Sequence, residues 1–144
     1  MCLRKVQLDC EKWDSIGFTG TRLGMTPYQE GQVRDYLIRH NVKEGHHGDC
    51  IGADAQFHNI CVDLGIRTVV YPPTNAKYRA FCKADEVRDE KPYIKRNMDI
   101  VNESDFMIAT PFQLREVQRS GTWSTIRYSK KVCKYIYVIT PEDE

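Results

Sequence analysis

Two short apolar runs near the end of the chain, "DFMIATP" (105–111) and "KYIYVIT" (134–140), are separated by one helical stretch, "TWSTIRYSKK" (122–131). Strands joined through a single helix run in the same direction, because a parallel pair needs a crossover where an antiparallel pair needs only a turn. A parallel sheet is covered on both faces by the helices that connect it. The chain is therefore expected to be a wound α/β sheet.

The rest of the sequence repeats this alternation. "SIGFTG" (15–20) reads as a strand and "TPYQEGQVRDYLIRH" (26–40) as a helix. Thr26 suits the N-cap, Pro27 the first helical position and Gln29 the capping-box partner, after which Val33, Tyr36, Leu37 and His40 follow helical spacing. "NVKEGHHGDC" has almost no aliphatic residues and reads as strand or loop. "ADAQFHNICVDLG" (53–65) is a helix with Ala53, Phe57, Ile60, Cys61 and Leu64 on one face, stopped by Gly65. "IRTVVYP" (66–72) is a β-branched strand, and "KPYIKRNMDIVNES" (91–104) a helix whose Ile94, Met98 and Val101 mark the apolar face. About five strands result, in one domain with its core at about 15–140.

Composition excludes several classes. With 41% hydrophobic and 28% charged residues the 144-residue chain reads as globular, and its formal net charge of +1 gives no overall field for nucleic acid or an anionic membrane. No apolar run approaches the ~18 residues of a membrane span. Six scattered cysteines, without a CxxC pair or a signal-peptide core in "MCLRKVQLDCEKW", point to reduced thiols and a cytoplasmic location.

Three loops carry the chemistry of a ligand site. In "GFTGTRLGMTP" (17–27) Gly17, Gly20 and Gly24 allow tight turns, Thr19 and Thr21 offer hydroxyls and Arg22 a charge. In "GDCIGADAQFHNIC" (48–61) Gly48, Gly52 and Asp54 straddle a helix start, where a carboxylate is favourable; Asp54 and His58 lie one turn apart and are spaced to pair. His46, His47, Cys50 and His58 are metal-ligand types, yet their spacing matches no zinc pattern, and neither a metal nor a cofactor is expected. In "TPFQLREVQRSGTW" (110–123) Ser120, Gly121 and Thr122 open a helix with Arg115 and Arg119 nearby. Arg96 and Asn97 lie off the Ile94/Met98/Val101 face. Phe112, Trp123 and Tyr128 are candidates for stacking on a base.

The pieces "GFTGTR", "GDCIGADAQFH", "RNMDIVNESDFMIATP" and "SGTWSTIRYSKK", in that order, resemble the SLOG superfamily over about residues 15–140. This superfamily includes the Lonely Guy phosphoribohydrolases, the Rossmann-like domain of DNA-processing protein A and the small YspA-like proteins, and the resemblance is strongest to the last. It implies a Rossmann-like fold with a nucleotide or nucleotide-derived ligand at the carboxyl ends of the strands, held by Gly20, Thr21, Arg22, Gly52, Asp54, Arg96, Asn97, Ser120, Gly121 and Thr122. Lonely Guy enzymes pair a glutamate with an arginine to cleave an N-glycosidic bond. Arg96 matches that arginine, but Thr125 stands at the glutamate position, and a hydroxyl cannot replace a carboxylate there. Catalysis by the family route would need an acid from Asp54, Glu116 or Glu30. The resemblance thus implies a sensor or sequestering protein first and a nucleoside-monophosphate hydrolase, through Arg96 and Asp54, second. Single-stranded nucleic-acid binding comes third, and self-association is left open.

Overall fold

The computed structural model describes residues 14–142; the opening segment, with Cys2 and Cys10, lies outside them. The elements follow in the order β1 (Ser15–Gly20), α1 (Pro27–Arg39), β2 (Glu44–His47), α2 (Ala53–Asp63), β3 (Arg67–Val70), a 3₁₀ turn (Ala76–Tyr78), β4 (Glu86–Val87), α3 (Tyr93–Glu103), β5 (Phe106–Thr110), α4 (Gly121–Lys131) and β6 (Ile136–Val138). The six strands form one sheet in the order β4-β3-β2-β1-β5-β6, with every pair parallel. This is a Rossmann-like α/β fold. The chain winds outward from β1 to β4, then returns to the other side of β1 for β5 and β6. The sheet therefore reverses its direction of winding between β1 and β5, the place where such sheets open a crevice at their carboxyl edge.

Alternation along β1 and β5 sorts the helices onto two faces. Ile16, Phe18, Phe106 and Ile108 pack against Val33 and Leu37 of α1 and Phe57, Ile60 and Cys61 of α2. Phe18 stacks on Phe57 at 4.4 Å between ring centroids. Met107 turns the other way, onto Ile100 and Val101 of α3, and Ala109 packs on Trp123 and Ile126 of α4.

The start of α1 is built as the sequence suggests. Thr26 Oγ1 accepts from the Gln29 amide and the Gln29 side chain accepts from the Thr26 amide, with Pro27 in the first turn. Buried Gln29 does more than cap: its Nε2 donates to Pro111 O and Ile139 O, at 2.9 and 2.8 Å, tying α1 to the residues that follow β5 and β6. The face assigned to α2 is buried except at half-buried Leu64, and Gly65 follows the helix at a φ of +72°.

Several expectations need correction. The sheet has six strands, the sixth being β4, within the polar, charged segment. β2 is an interior strand although it reads Glu-Gly-His-His. Its imidazoles are tolerated because each is hydrogen-bonded: His46 to Tyr71 Oη (2.8 Å) and Glu44 (3.0 Å), His47 to His58 (3.0 Å) and the Asp49 amide (3.0 Å). Gly45 lies so close under α2 that a Cβ there would meet Cys61 Sγ at 2.6 Å. The inner face of α3 is Arg96, Ile100 and Val101, whereas Ile94 is 74% exposed and Met98 half-buried. Cys50, Cys61 and Cys82 are free thiols, but Cys133 is disulfide-bonded, which departs from the expectation of six reduced cysteines. Among the described residues no helix is long and apolar enough to cross a membrane.

Candidate functional site

A cavity of about 510 Å³ opens at the carboxyl edge of the sheet, walled by the loops after β1, β2, β3 and β5 and by the start of α3. The loop after β1 is fixed first. The Thr21 amide donates to Thr110 O (3.3 Å), its hydroxyl accepts from the Leu23 amide (3.1 Å), and its carbonyl accepts from the Ala53 amide (2.9 Å). Gly52 makes that last contact possible. It sits at a φ of +88°, and a Cβ there would collide with the Arg22 carbonyl oxygen, so no other residue lets the two loops close. Gly20 is equally confined, since a Cβ on it would run into Thr110 Oγ1 and the Ala53 methyl. Arg22 is left exposed, its guanidinium 4.1 Å above the Tyr78 ring.

Arg96 reaches across from α3. Its Nη1 donates to Gly48 O (2.5 Å) and Tyr71 O (2.8 Å), which lie just beyond β2 and β3, and its Nε donates to Asn97 Oδ1 (2.7 Å). A buried guanidinium is satisfied here by carbonyls rather than by an acid, which leaves its positive charge uncancelled by direct contact. Asp54, in the first turn of α2, is buried, and its Oδ2 accepts from the Cys50 amide at 3.2 Å. Burial pushes its pKa up to about 6, despite the lowering influence of Arg96 and of backbone bonds from Cys50 and Gly48. Asp54 does not pair with His58, whose ring bonds His47 and Lys83 O instead.

At the far side α4 presents its N-terminus. Ser120 is the N-cap, its hydroxyl accepting from the Trp123 amide at 3.1 Å, and no acidic side chain occupies the first turn. Gly121 has open space where a side chain would stand. Free N–H groups and the helix dipole make this an anion-favouring end.

Of the residues singled out in the sequence, Gly20, Thr21, Arg22, Asp54, Arg96, Asn97, Ser120, Gly121 and Thr122 all line the cavity. Gly52 does not line it; its part is to let the loop after β1 close on the start of α2. Thr125 does not line it; it is buried and its hydroxyl donates back to Gly121 O at 3.0 Å. Glu30 accepts from Gln56 and Glu116 pairs with Arg127, both away from the cavity, so Asp54 is the one acid of the three that lines it. Trp123 is core and Tyr128 bonds Asn102, whereas Phe112 is on the cavity wall. Sequence reasoning missed Tyr78, Tyr93, Cys50 and Gln113 as wall residues. Cys50 and Gln113 lie inside two of the loops singled out and Tyr93 just ahead of the Arg-Asn pair, so Tyr78 alone of the four stood away from any signal.

The metal-ligand types do not gather as the sequence grouped them. His46 points to Tyr71 and Cys50 to the cavity, while His47 and His58 meet Cys82 from the segment after β3, with donor atoms within 4.8 Å of one another. The Asp49 amide donates to His47 Nδ1, so the ring proton lies on Nε2 and donates to His58 Nδ1; His58 Nε2 then donates to Lys83 O at 3.2 Å. A cation on His47 Nε2 would force a proton onto Nδ1, against the Asp49 amide. His47 and His58 thus have all four ring nitrogens engaged in hydrogen bonds, which occupies the atoms a cation would need. Burial and the neighbouring rings and Arg96 hold the His47 pKa well below its usual value.

No protein-family model matches the chain, and no curated protein matches it. Among solved structures it is similar to the molybdenum cofactor binding protein of the phototrophic bacterium Rippkaea orientalis, with a TM-score of 0.69 and 18% identity over 92% of this chain and 78% of that one. It is also similar to the X-ray structure of TM1055, a structural-genomics target, with a TM-score of 0.60 and 13% identity over 85% of this chain and 72% of that one. At these identities the likeness is one of fold: the chain shares the Rossmann-like α/β architecture of both.

Proposed function

We propose that this chain binds a nucleotide or nucleotide-derived small molecule in the cavity between β1 and β5, as a cytoplasmic sensor or sequestering protein of the SLOG type. One observation carries the reading: the cavity is walled by three arginines, Arg22, Arg96 and Arg119, against the single carboxyl of Asp54, and the acid-free N-terminus of α4 opens into it. Such a site favours an anion with a polar, partly planar body, and Tyr78, Tyr93 and Phe112 supply flat apolar wall. A structural neighbour that is a cofactor-binding protein supports a small organic ligand in this fold. The order of the SLOG-like pieces along the chain supports the family.

A ligand that binds the native state raises its stability by about 2.7 kcal/mol at a hundredfold excess over Kd. A thermal-shift panel of mono-, di- and cyclic nucleotides is expected to show a clear rise in Tm, with the matching nucleosides weaker. A panel flat at millimolar concentration, phosphates included, removes the nucleotide reading. The hydrolase reading has one observation in its favour, the buried carboxyl of Asp54 in the cavity wall. Release of free base from a nucleoside monophosphate, lost in Asp54→Asn with binding retained, would establish it.

A further inference from the structure

One corner of the cavity holds polar groups whose hydrogen-bonding capacity the protein itself leaves unfilled. Asp54, Arg96 and Asn97 all line the cavity, and Cys50 joins the first two: its amide donates to Asp54 Oδ2 (3.2 Å) and its sulfur lies 3.8 Å from Arg96 Nη2.

A guanidinium has five N–H donors. Arg96 spends Nε on Asn97 Oδ1 and Nη1 on the Gly48 and Tyr71 carbonyls, which leaves Nη2 with only the Cys50 sulfur, a weak acceptor. Because Nε can only donate, the oxygen of the Asn97 amide must face it and the Asn97 Nδ2 turns outward, where no acceptor among the described residues takes it. Asp54 is 6% exposed, yet among the described residues no donor bonds its Oδ1, and that atom is not sealed from the cavity. With a pKa of about 6 it is mostly ionised at neutral pH, and a carboxylate only accepts. The corner therefore offers a buried acceptor beside two donors. A hydroxyl satisfies both, since it donates its proton and accepts on its oxygen. A phosphate does not, because its oxygens would face the carboxylate as like charges.

We propose that Asp54, Arg96 and Asn97 form a sugar subsite that takes the vicinal hydroxyls of a ribose, so that the cavity selects ribonucleotides over deoxyribonucleotides. Asp54 Oδ1 accepts from a hydroxyl, while Arg96 Nη2 and Asn97 Nδ2 donate to the hydroxyl oxygens. A sugar is favoured over the edge of a base by placement: in dinucleotide-binding sheets the acid that takes the ribose hydroxyls follows the second strand, beside the glycine-bearing turn after the first. Asp54 follows β2, and the amide of its neighbour Ala53 donates to Thr21 in the loop after β1. The anionic end of the ligand then falls to Arg22, Arg119 and the start of α4. This inference rests on the cavity being a nucleotide site and adds which part of the nucleotide meets which wall.

The test is calorimetric titration of the chain with ribonucleotides and with their deoxyribonucleotide counterparts, matched in base and in phosphate number. The ribose member of a pair is expected to bind on the order of tenfold to a hundredfold more tightly, as a hydrogen bond to a charged group implies. In Asp54→Asn the Cys50 amide claims the one remaining oxygen, so an NH2 faces the cavity and the acceptor is gone. Asn97→Asp keeps an acceptor for Arg96 Nε and removes the outward NH2. Both variants should narrow the ratio within each pair toward one. A general change in charge or stability does not move that ratio, because it weighs on both members alike. Equal binding of the two members by the parent overturns the subsite and leaves the nucleotide reading standing, whereas no binding of any nucleotide removes both. The proposal also falls if the ratio survives in both variants, or if they alter which base is preferred instead. Tighter binding of both members by Asp54→Asn would place an anion at this corner and overturn it as well.

Discussion

Arg96 and Asp54 meet over Gly48: a side chain on that glycine would place its Cβ 2.6 Å from Arg96 Nη1 and 3.1 Å from Asp54 Oδ2. The missing side chain lets the buried guanidinium reach the Gly48 and Tyr71 carbonyls while the carboxyl stays close enough to feel its charge. Gly48→Ala must push one of them aside. Overpacking of this kind costs about 1–3 kcal/mol. The expected result is a lower midpoint in urea with an unchanged slope, and an unchanged midpoint would show that the two side chains have room to yield.

Removing Arg96 is expected to damage the fold as well as the site. From the sequence alone Arg96→Ala looks harmless, since the helical spacing assigns the apolar face to Ile94, Met98 and Val101. In the structure Arg96 is 4% exposed, and its loss strands two buried carbonyls, at roughly 1–3 kcal/mol each. Arg22→Ala is the cleaner probe of binding. Arg22 is exposed and has no ion pair among the described residues, so only its contact with the Tyr78 ring is lost and stability should move by no more than about 1 kcal/mol, whereas nucleotide affinity should weaken by about 1.5–3 kcal/mol, the range for a hydrogen bond to a charged group. Calorimetric titration and thermal melting of the two variants should therefore separate. Equal affinity in Arg22→Ala and parent would move the anion away from the loop after β1.

Asp54 gives stability a sign opposite to that of an ordinary paired carboxylate. Its pKa in the fold is about 6, raised from 3.8 by burial. Its contribution is present in full below the unfolded value and is lost as pH rises through about 6. A shift of this size corresponds to at most about 3 kcal/mol at pH 8. Asp54→Asn should therefore be more stable than the parent at pH 8, by about 1–2 kcal/mol, and the advantage should vanish near pH 4. Denaturant midpoints across that range measure it. A variant less stable at every pH would mean that the carboxylate is held by its amide bonds more firmly than burial opposes it.

His47 works in the other direction. Its pKa is held below 6.5, so the stability it contributes is present above that value and declines as pH falls further. The relay it anchors includes Asp49, whose carboxylate accepts from the Cys82 amide and Arg79 Nε, both at 2.8 Å, and so fixes the segment that carries Tyr78. Two-dimensional NMR of the imidazole nitrogens should show His47 neutral well below pH 6.5. Hydrogen exchange should then show the Tyr78–Lys83 amides opening before the strands do as the solution is acidified. A His47 ring that titrates at its ordinary value would contradict the relay.

Periodicity alone determined the parallel α/β frame, the limits of most helices and the three loops at its carboxyl edge, because each rests on local physics: capping at Thr26, the left-handed stop at Gly65, β-branched strands. The gathering of nine of the ten predicted site residues on one cavity also follows from that frame, since loops after parallel strands share an edge. What the tertiary structure decided is the polar interior. A strand reading Glu-Gly-His-His is buried only because Tyr71, His58 and the Asp49 amide arrive from elsewhere to satisfy it. The inner face of α3 includes an arginine only because two strand ends offer carbonyls. Asp54 becomes the cavity's lone acid only because Glu30 and Glu116 are engaged elsewhere. Hydrophobic patterning records which residues avoid water; it does not record which distant partners let a polar residue do the same.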